Sequence, residues 1–278
     1  MQEEKIIQVK GLTKSFGTVK ALDHCDMEIK RGEIFGYLGP SGAGKTTTIK
    51  LLTGQMHSDA GEMMVLGESP FSPGIRSQIG IMSDTSGLYE KMTVYENLAL
   101  FADIYQVSKE RVDEVLKAVE LQDSRKKKVE KLSRGMKQRL VFARTIIHKP
   151  ALLFLDEPTA NLDPMSAEEV RGLIRQLNEE GTTIFLTTHN MEEADELCDR
   201  IALLNQGSIM ECGNPQKLKL KYAKHKVLVT TAQEEIEVSL DCDSIMDVLR
   251  NNPEILMIHS QEPSLKEVFI ALTNGGLK

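Results

Sequence analysis

The 278-residue chain contains a glycine-rich segment with the composition of a phosphate-binding loop. This segment, called the phosphate loop below, consists of Gly39, Pro40, Ser41, Gly42, Ala43, Gly44, Lys45 and Thr46, and Thr47 follows it directly. It matches the pattern G-x-x-x-x-G-K-[ST], in which backbone N–H groups and a helix N-terminus surround phosphate oxygens. Lys45 would reach the β- and γ-phosphates, and the Thr46 hydroxyl would bind Mg2+. A glycine-rich turn with a solvated lysine is disfavoured, because an apolar strand and a helix flank the loop. We therefore predict that residues 39–47 bind a nucleotide.

Two adjacent carboxylates, Asp156 and Glu157, follow the apolar run Leu152–Leu155. Strands of a parallel sheet end at the ligand crevice, so both acids are expected to face the bound phosphates. Asp156 is then a candidate Mg2+ ligand, directly or through water, and Glu157 a candidate base that polarises an attacking water. Considered alone, two acidic residues at a strand end are more often solvated than functional. The presence of a phosphate loop in the same chain favours the functional interpretation instead.

The segment 132–139 reads Leu-Ser-Arg-Gly-Met-Lys-Gln-Arg and lies just before this acidic strand. Ser133 is expected to cap a helix that is apolar at positions 136, 140, 143 and 147, and Gly135 lets a backbone N–H approach a ligand closely. The sequence thus contains a second helix N-terminus that could face an anion.

This segment resembles the LSGGQ signature of ABC-type ATPases, with Arg134 at one glycine position and Met136 at the glutamine position. Other family landmarks follow in order, and the resemblance covers about residues 5–220. The stretch ending at Asp163 resembles the D-loop, and His189 resembles the switch histidine that contacts the γ-phosphate. Phe16 takes the place of the aromatic residue that stacks on adenine, and burial at a strand end is an equal alternative for it.

One position departs from the family pattern. The family usually has a glutamine after the strand that follows the phosphate-loop helix, where it links Mg2+ to the membrane subunit. Asp84 stands there in this sequence. Aspartate is a shorter oxygen ligand that would act through water, so Asp84 is a candidate metal ligand beside Thr46 and Asp156.

The elements that must position these residues alternate along the chain. Apolar strands at 34–38, 151–155 and 182–188 alternate with helical patterns, which predicts a parallel sheet covered on both sides. The fold class is therefore predicted as α/β. The resemblance specifies a P-loop NTPase with an ABC-type ATPase core, in which an antiparallel β subdomain and a helical subdomain (about 85–150) accompany the mainly parallel sheet. The ATPase domain is predicted to span residues 1–220.

The remaining residues, 221–278, change in character. Strand patterns at 226–231, 235–240 and 255–259 accompany helical patterns at 243–250 and 264–273, which predicts a small C-terminal α/β region. The segment 264–269 is similar to the tail of ATPase subunits that export drugs and antibiotic peptides. A helix that only stabilises the domain and a regulatory element remain equal alternatives for this tail.

Composition limits the classes of function. With 41% hydrophobic and 27% charged residues the chain can bury a core, and its net charge of −7 disfavours a nucleic-acid partner. The basic run 125–128 is interpreted as a solvated turn rather than a nucleic-acid patch. Four scattered cysteines predict reduced thiols and no structural metal. No apolar run reaches the ~20 residues of a membrane helix, so we expect the chain not to cross a bilayer by itself.

The resemblance implies that two ATPase domains pair head to tail around two ATP molecules. Ser133 and Gly135 of one domain then cap the γ-phosphate held by Lys45 and Thr46 of the other.

The expected partners are a separate membrane-spanning permease and a second copy of the chain or a related ATPase subunit. The chain is expected on the cytoplasmic face of the membrane, and no nucleic-acid partner is expected. Segments 86–89 and 93–98 resemble the part that meets the permease. Two alternatives are a soluble ABC protein acting in translation or DNA repair, and a regulatory module that binds ATP without hydrolysing it.

Overall fold

The computed structural model describes residues 4–83, 87–224, 226–252, 254–260 and 262–273. Asp84, one of the predicted metal ligands, lies outside the described residues. The chain divides into two compact units, Met1–Cys212 and Gly213–Lys278. This division precedes the predicted boundary after residue 220.

The described elements are as follows in chain order. The strands up to the division are β1 (Lys5–Phe16), β2 (Val19–Lys30), β3 (Ile34–Leu38), β4 (Ala60–Val65), β5 (Ile79–Met82), β6 (Leu152–Asp156), β7 (Thr183–Thr188), β8 (Arg200–Asn205) and β9 (Ser208–Gly213). The helices of the first unit are α1 (Lys45–Leu52), α2 (Val94–Ile104), α3 (Lys109–Ala118), α4 (Arg134–Ile146), α5 (Pro164–Glu179) and α6 (Met191–Leu197). The second unit contains α7 (Pro215–Lys221), β10 (Lys226–Thr231), β11 (Glu235–Ser239), α8 (Cys242–Asn251), β12 (Ile255–Ser260) and α9 (Leu265–Thr273).

A six-stranded sheet forms the centre of the first unit, in the order β5-β6-β7-β3-β8-β9. The pairs from β5 to β8 are parallel, which confirms the predicted α/β fold with a mainly parallel sheet. Every residue of β3, β6 and β7 is buried, because the sheet is covered on both faces. The carboxyl ends of these three strands lie side by side and carry the phosphate loop, the two adjacent carboxylates and His189.

A smaller antiparallel sheet, β2-β1-β4, packs its apolar face into the same core. Strands β1 and β2 each contain 12 residues, whereas the strand-like alternation of the sequence covers only 5–10 and 24–30. The pairing of β1 with β2 shifts register between Val9 and Leu12, around Gly11 with its φ of 60°, and this shift interrupts the alternation of apolar residues. Strand β4 was not predicted, because five of its six residues are partly or fully exposed and show no alternation.

Helices α2, α3 and α4 lie within the segment predicted as helical, 85–150. Thr93 begins α2 with a capping box, in which its side chain and that of Glu96 each accept from the other's backbone N–H. Val112, Val115 and Leu116 form the buried face of α3. None of the described helices is long and apolar enough to cross a membrane.

The second unit has an antiparallel sheet in the order β11-β10-β12. Helix α7 follows Gly213-Asn214-Pro215, three residue types that also commonly end regular structure, so the sequence does not predict a helix here. The side chain of Asn214 instead accepts a hydrogen bond from the N–H of Lys217 at 3.2 Å, and Pro215 occupies the first helical turn. Proline is tolerated there because the first N–H groups of a helix have no intrahelical partner. The tail segment forms α9, which buries Leu265 and Val268.

Candidate nucleotide-binding site

The phosphate loop begins where β3 ends and leads directly into α1. Its backbone packs closely against neighbouring chain at two glycines. A Cβ atom on Gly39 would lie 2.3 Å from the carbonyl oxygen of Leu204, and one on Gly44 would lie 2.5 Å from that of Ala21. Gly44 also has a φ of 115°, a conformation that side chains rarely adopt. These two positions therefore require glycine.

The N-terminus of α1 supplies donors for an anion. The first helical hydrogen bond runs from the N–H of Thr48 to the carbonyl oxygen of Gly44 at 2.9 Å. The N–H groups of Lys45, Thr46 and Thr47 precede that bond and have no partner within the helix. Such N–H groups, aligned with the positive end of the helix dipole, suit phosphate oxygens.

Lys45 is buried over the loop that contains it. Its Nζ donates to the carbonyl oxygens of Gly39 at 2.7 Å and Pro40 at 3.2 Å, and lies 3.2 Å from Oε1 of Glu157. The ammonium group is thus held at the centre of the site, where it can exchange these acceptors for phosphate oxygens.

Thr46 and Asp156 form an oxygen-rich pair beside Lys45. The Thr46 hydroxyl donates to Oδ2 of Asp156 at 2.9 Å, and the Thr187 hydroxyl donates to Oδ1 of the same carboxylate. The described residues contain no group of three or more His, Cys, Asp or Glu residues that could hold a metal. Mg2+ is usually held by one or two carboxylates together with phosphates and water, so a hydroxyl and one carboxylate beside a phosphate site fit this ion.

Glu157 and His189 meet above the ends of β6 and β7. Nδ1 of His189 lies 2.7 Å from Oε2 of Glu157, and the backbone N–H of His189 approaches the same oxygen at 3.4 Å. Glu157 has a φ of 51°, which is uncommon for a residue with a side chain. The structure thus brings the two predicted catalytic residues together, and Glu157 also contacts Lys45.

Ser133 and Gly135 lie at the start of α4. The Ser133 hydroxyl accepts from the N–H of Met136 at 3.2 Å and so caps α4. A Cβ atom on Gly135 would lie 2.3 Å from the hydroxyl of Ser166 on α5. Among the described residues, no hydrogen bond or ion pair joins Ser133 or Gly135 to the phosphate loop. The N-terminus of α4 is therefore a second helix start, separate from that of α1, in the same chain.

Asp163 begins α5 and fixes its first turn. Its carboxylate accepts from the N–H of Ser166 at 3.0 Å and from the Ser166 hydroxyl at 2.7 Å. These hydrogen bonds lower the pKa of Asp163 from its ordinary value, the hydroxyl contributing most. Ser166 thus contacts both Asp163 and the position of Gly135.

Phe16 ends β1 on the surface. Its side chain is 49% exposed, and the Nζ of Lys14 lies 5.7 Å from the ring centroid. The exposure excludes the alternative in which Phe16 is a buried strand-end residue. Adenine stacking remains a prediction that an exposed ring can satisfy.

A groove lies at the end of α1 that is far from the phosphate loop, and strand β5 and helices α2 and α4 contribute to its walls. It has a volume of about 610 Å³ and is lined in part by Tyr89, Phe101, Tyr105, Arg144 and His148. Arg144 donates to the carbonyl oxygen of Gly87 at 2.5 Å and lies over the ring of Phe101 at 4.8 Å. The rings of Tyr105 and His148 stack at 4.0 Å, and burial lowers the pKa of His148.

Sequence reasoning missed two contributors to the site. Thr187 was only a strand residue in that reasoning, although the register of β6 and β7 places it opposite Asp156. Gln138 lies on α4, and its Nε2 donates to the carbonyl oxygen of Pro158 at 2.6 Å. The available signal for Thr187 was its hydroxyl near the end of a predicted strand that neighbours the strand of Asp156. No local sequence pattern marks Gln138 as a residue that contacts the loop after Glu157.

The chain is similar to known proteins along nearly its whole length. The model of the ABC transporter family matches residues 22–160. A fluoroquinolones export ATP-binding protein of Mycobacterium tuberculosis is 40% identical over 98% of this chain and 95% of its own length. The bacitracin transport ATP-binding protein BcrA of Bacillus licheniformis is 35% identical over 98% of each chain. The solved structure of cbiO1 from Clostridium perfringens, part of an ABC transporter complex, covers 78% of this chain and 91% of its own, with a TM-score of 0.70 and 29% identity.

The chain therefore belongs to the ABC transporter family, as an ATP-binding protein of that family. It binds ATP and is an ATPase that powers transport. The soluble and non-hydrolysing alternatives lose their support, since curated relatives matched along nearly their whole length are transport ATP-binding proteins.

Proposed function

We propose that this chain hydrolyses ATP to export a drug-like or antibiotic compound through a separate membrane-spanning permease. The relatives named for export of fluoroquinolones and resistance to daunorubicin, and for bacitracin transport, support this direction and substrate class. The observation that carries the ATPase part is the meeting of Lys45, Asp156, Glu157 and His189 at the phosphate loop.

In this proposal the first turn of α1 and Lys45 bind the phosphates of ATP, and Phe16 stacks on adenine. Thr46 and Asp156 hold Mg2+, with Thr187 orienting the Asp156 carboxylate by its hydrogen bond. When bound, Mg2+ neutralises charge on the β- and γ-phosphates. Asp84 remains a candidate third ligand by its position in the sequence.

Glu157 acts as the base that orients and polarises the attacking water. Its carboxylate contacts both Lys45 and His189, so it is held close to the position of the γ-phosphate. His189 restrains Glu157 through Nδ1, and in this proposal it contacts the same phosphate. A preorganised set of charges of this kind stabilises the charge that develops during transfer.

The second anion-facing helix end serves a partner subunit. The first turn of α4 contains no acidic residue, and Arg134 lies beside Ser133, so this end of the helix carries positive charge. Pairing of two ATPase subunits head to tail would place Ser133 and Gly135 against the ATP held by the other subunit, with Asp163 near the same junction. The partner is a second copy of this chain or a related ATPase.

The permease is proposed to dock in the groove lined by Tyr89, Phe101 and Arg144. Tyr89 is 51% exposed at the edge of this groove, and aromatic residues and arginine are typical anchors of protein interfaces. Gly87 and Tyr89, from the segment 86–89 predicted to meet the permease, line this groove, while Ser86 lies outside the described residues. Asn97, from the segment 93–98, forms hydrogen bonds with the backbone of Tyr89. Docking there would hold the subunit at the cytoplasmic face of the membrane.

The experiment is co-purification of the tagged chain from its native cells in mild detergent, with identification of its partners by mass. We expect recovery of a polytopic membrane protein. Tyr89→Asp should reduce that recovery while the isolated subunit keeps its ATPase rate. Met64→Asp is the control, because Met64 is a similarly exposed apolar residue on β4. Recovery of ribosomes, nucleic acid or soluble proteins alone would contradict the proposal.

A further inference from the structure

Gln138 connects the helix that starts at Ser133 with the loop that carries Glu157. Its Nε2 donates to the carbonyl oxygen of Pro158 at 2.6 Å, across 20 positions of sequence. Pro158 is buried and directly follows Glu157. The hydrogen bond therefore acts on the residue that directly follows the proposed base.

The backbone at Glu157 depends on such contacts. Its positive φ is unfavourable for a residue with a side chain and persists only when its surroundings fix it. The N–H of Glu157 donates to the carbonyl oxygen of Thr187 at 3.0 Å. The hydroxyl of Thr159 donates to Oε1 of Glu193, a buried residue of α6. The loop is thus attached to β7, to α6 and, through Gln138, to α4.

Helix α4 is itself tightly packed at its start. Gly135 approaches Ser166 of α5 so closely that a single added carbon would collide with it. Arg139, next to Gln138, lies with its Nε 3.4 Å from Glu169 on the same helix α5. A displacement of the first turns of α4 would therefore be transmitted to the loop after Glu157 through the Gln138 hydrogen bond.

We propose that Gln138 is a positioning residue for Glu157, and that it couples the two ATP sites. The coupling rests on the proposed head-to-tail dimer, in which Ser133 and Gly135 contact the ATP of the partner while Glu157 acts on the ATP of its own chain. Contact of ATP with the start of α4 then orients Glu157 at the other site, through Gln138 and Pro158.

The first test compares two substitutions that differ in the donor. Gln138→Met keeps the length of the side chain and removes the donor, whereas Gln138→Lys keeps a donor. We expect Gln138→Met to lower kcat at least about tenfold, because small displacements of a catalytic group are costly. ATP affinity should stay within about twofold, since the phosphate loop is untouched, and the Hill coefficient should fall toward one. Gln138→Lys should recover part of kcat and of the Hill coefficient.

Gln176→Met is the matched control. Gln176 lies on α5, and its Nε2 donates to Glu180 at 3.0 Å on an exposed face. This variant should keep the kcat and Hill coefficient of the unmodified protein. If Gln138→Met fails to fold, Gln138→Glu replaces it, because a carboxylate of the same shape cannot donate to the Pro158 carbonyl.

The second test is a double-mutant cycle with Glu157→Gln, read by single-turnover hydrolysis. If Gln138 acts through Glu157, the double variant Gln138→Met with Glu157→Gln should be no slower than Glu157→Gln alone. The positioning role would be overturned if the rate losses of the two single variants add up in the double variant. It would also be overturned if Gln138→Met has an unchanged kcat.

Dimer formation separates this inference from the proposed function. Glu157→Gln with ATP should migrate as a dimer in size-exclusion chromatography. Absence of that dimer would contradict the proposed pairing and, with it, the coupling, while the kcat of Gln138→Met still decides the positioning role. If the dimer forms but Gln138→Met keeps the Hill coefficient of the unmodified protein, the coupling of the two ATP sites is overturned and the positioning role is not.

Discussion

His189 and Glu157 are 32 positions apart in sequence, yet Nδ1 of the histidine lies 2.7 Å from Oε2 of the carboxylate. The two residues follow the adjacent parallel strands β7 and β6, whose carboxyl ends meet at the same edge of the sheet. An ionised carboxylate only accepts hydrogen bonds, so Nδ1 is the donor in this contact. The pair therefore fixes the ring of His189 and the orientation of Glu157 together.

Replacement of His189 should impair hydrolysis more than binding. We expect His189→Ala to lower kcat about 10- to 100-fold, because Glu157 loses a hydrogen bond that orients it. ATP affinity should change little, since Lys45 and the start of α1 are unaltered. Phosphate release and equilibrium nucleotide binding measure the two quantities.

His57→Ala serves as the control for His189. His57 stacks on Phe71 at 4.0 Å and follows the far end of α1 from the phosphate loop. Its removal should leave kcat unchanged. A His189→Ala variant with the kcat of the His57→Ala variant would contradict the role given to His189.

The hydrogen bond between Thr46 and Asp156 predicts a specific metal dependence. Thr46→Ala removes a hydroxyl that bonds Asp156 at 2.9 Å and that we assign to Mg2+. The Mg2+ concentration for half-maximal ATPase activity should rise at least about tenfold. Thr46→Ser retains the hydroxyl and should stay close to the unmodified protein. Equal Mg2+ dependence of the two variants would exclude Thr46 as a ligand.

Packing of α4 against α5 makes Gly135 a structural as well as a functional position. Gly135→Ala should destabilise the protein by about 1–3 kcal/mol, because the new Cβ would lie 2.3 Å from the Ser166 hydroxyl and 2.9 Å from its Cβ. Gly172→Ala on α5 is the matched control, since a Cβ there meets no atom within 4 Å. It should stabilise the protein by about 0.5–1 kcal/mol. Urea unfolding measures both, and a neutral Gly135→Ala would contradict the packing.

His148 should make stability depend on pH. Burial lowers the pKa of His148 in the folded protein, while the unfolded chain keeps the ordinary value near 6.5. The unfolded state then binds the proton more readily than the folded state. The contribution of His148 to the free energy of unfolding is therefore complete above about pH 7 and is lost as the pH falls. The thermal midpoint of the unmodified protein should therefore drop more between about pH 8 and pH 5.5 than that of His148→Gln. Equal drops would contradict this assignment.

The sequence identified those parts of the site that are encoded locally. The phosphate loop and the pair Asp156 and Glu157 are continuous in sequence, and their chemistry follows from residue type and spacing. His189 was found from the resemblance, which placed a lone histidine in a series of other motifs. Phe16 could not be decided from the sequence, because exposure at a strand end depends on what packs beside it.

Contacts between distant elements were not predictable in the same way. The hydrogen bond from Thr187 to Asp156 depends on the register of β6 against β7, which no local pattern specifies. The hydrogen bond from Gln138 to Pro158 depends on how α4 packs over a loop. Helix α7 was missed because its local signal is ambiguous. Asn214 and Pro215 are common both in turns and at helix starts.

The most direct measurement compares ATP binding and phosphate release of the unmodified protein with those of Glu157→Gln. The glutamine keeps the shape of the side chain and cannot act as a base, so release should be at least ~100-fold slower while ATP still binds with similar affinity. That result would establish Glu157 as the base of an ATPase built around the phosphate loop. Near-normal turnover by Glu157→Gln would contradict the mechanism.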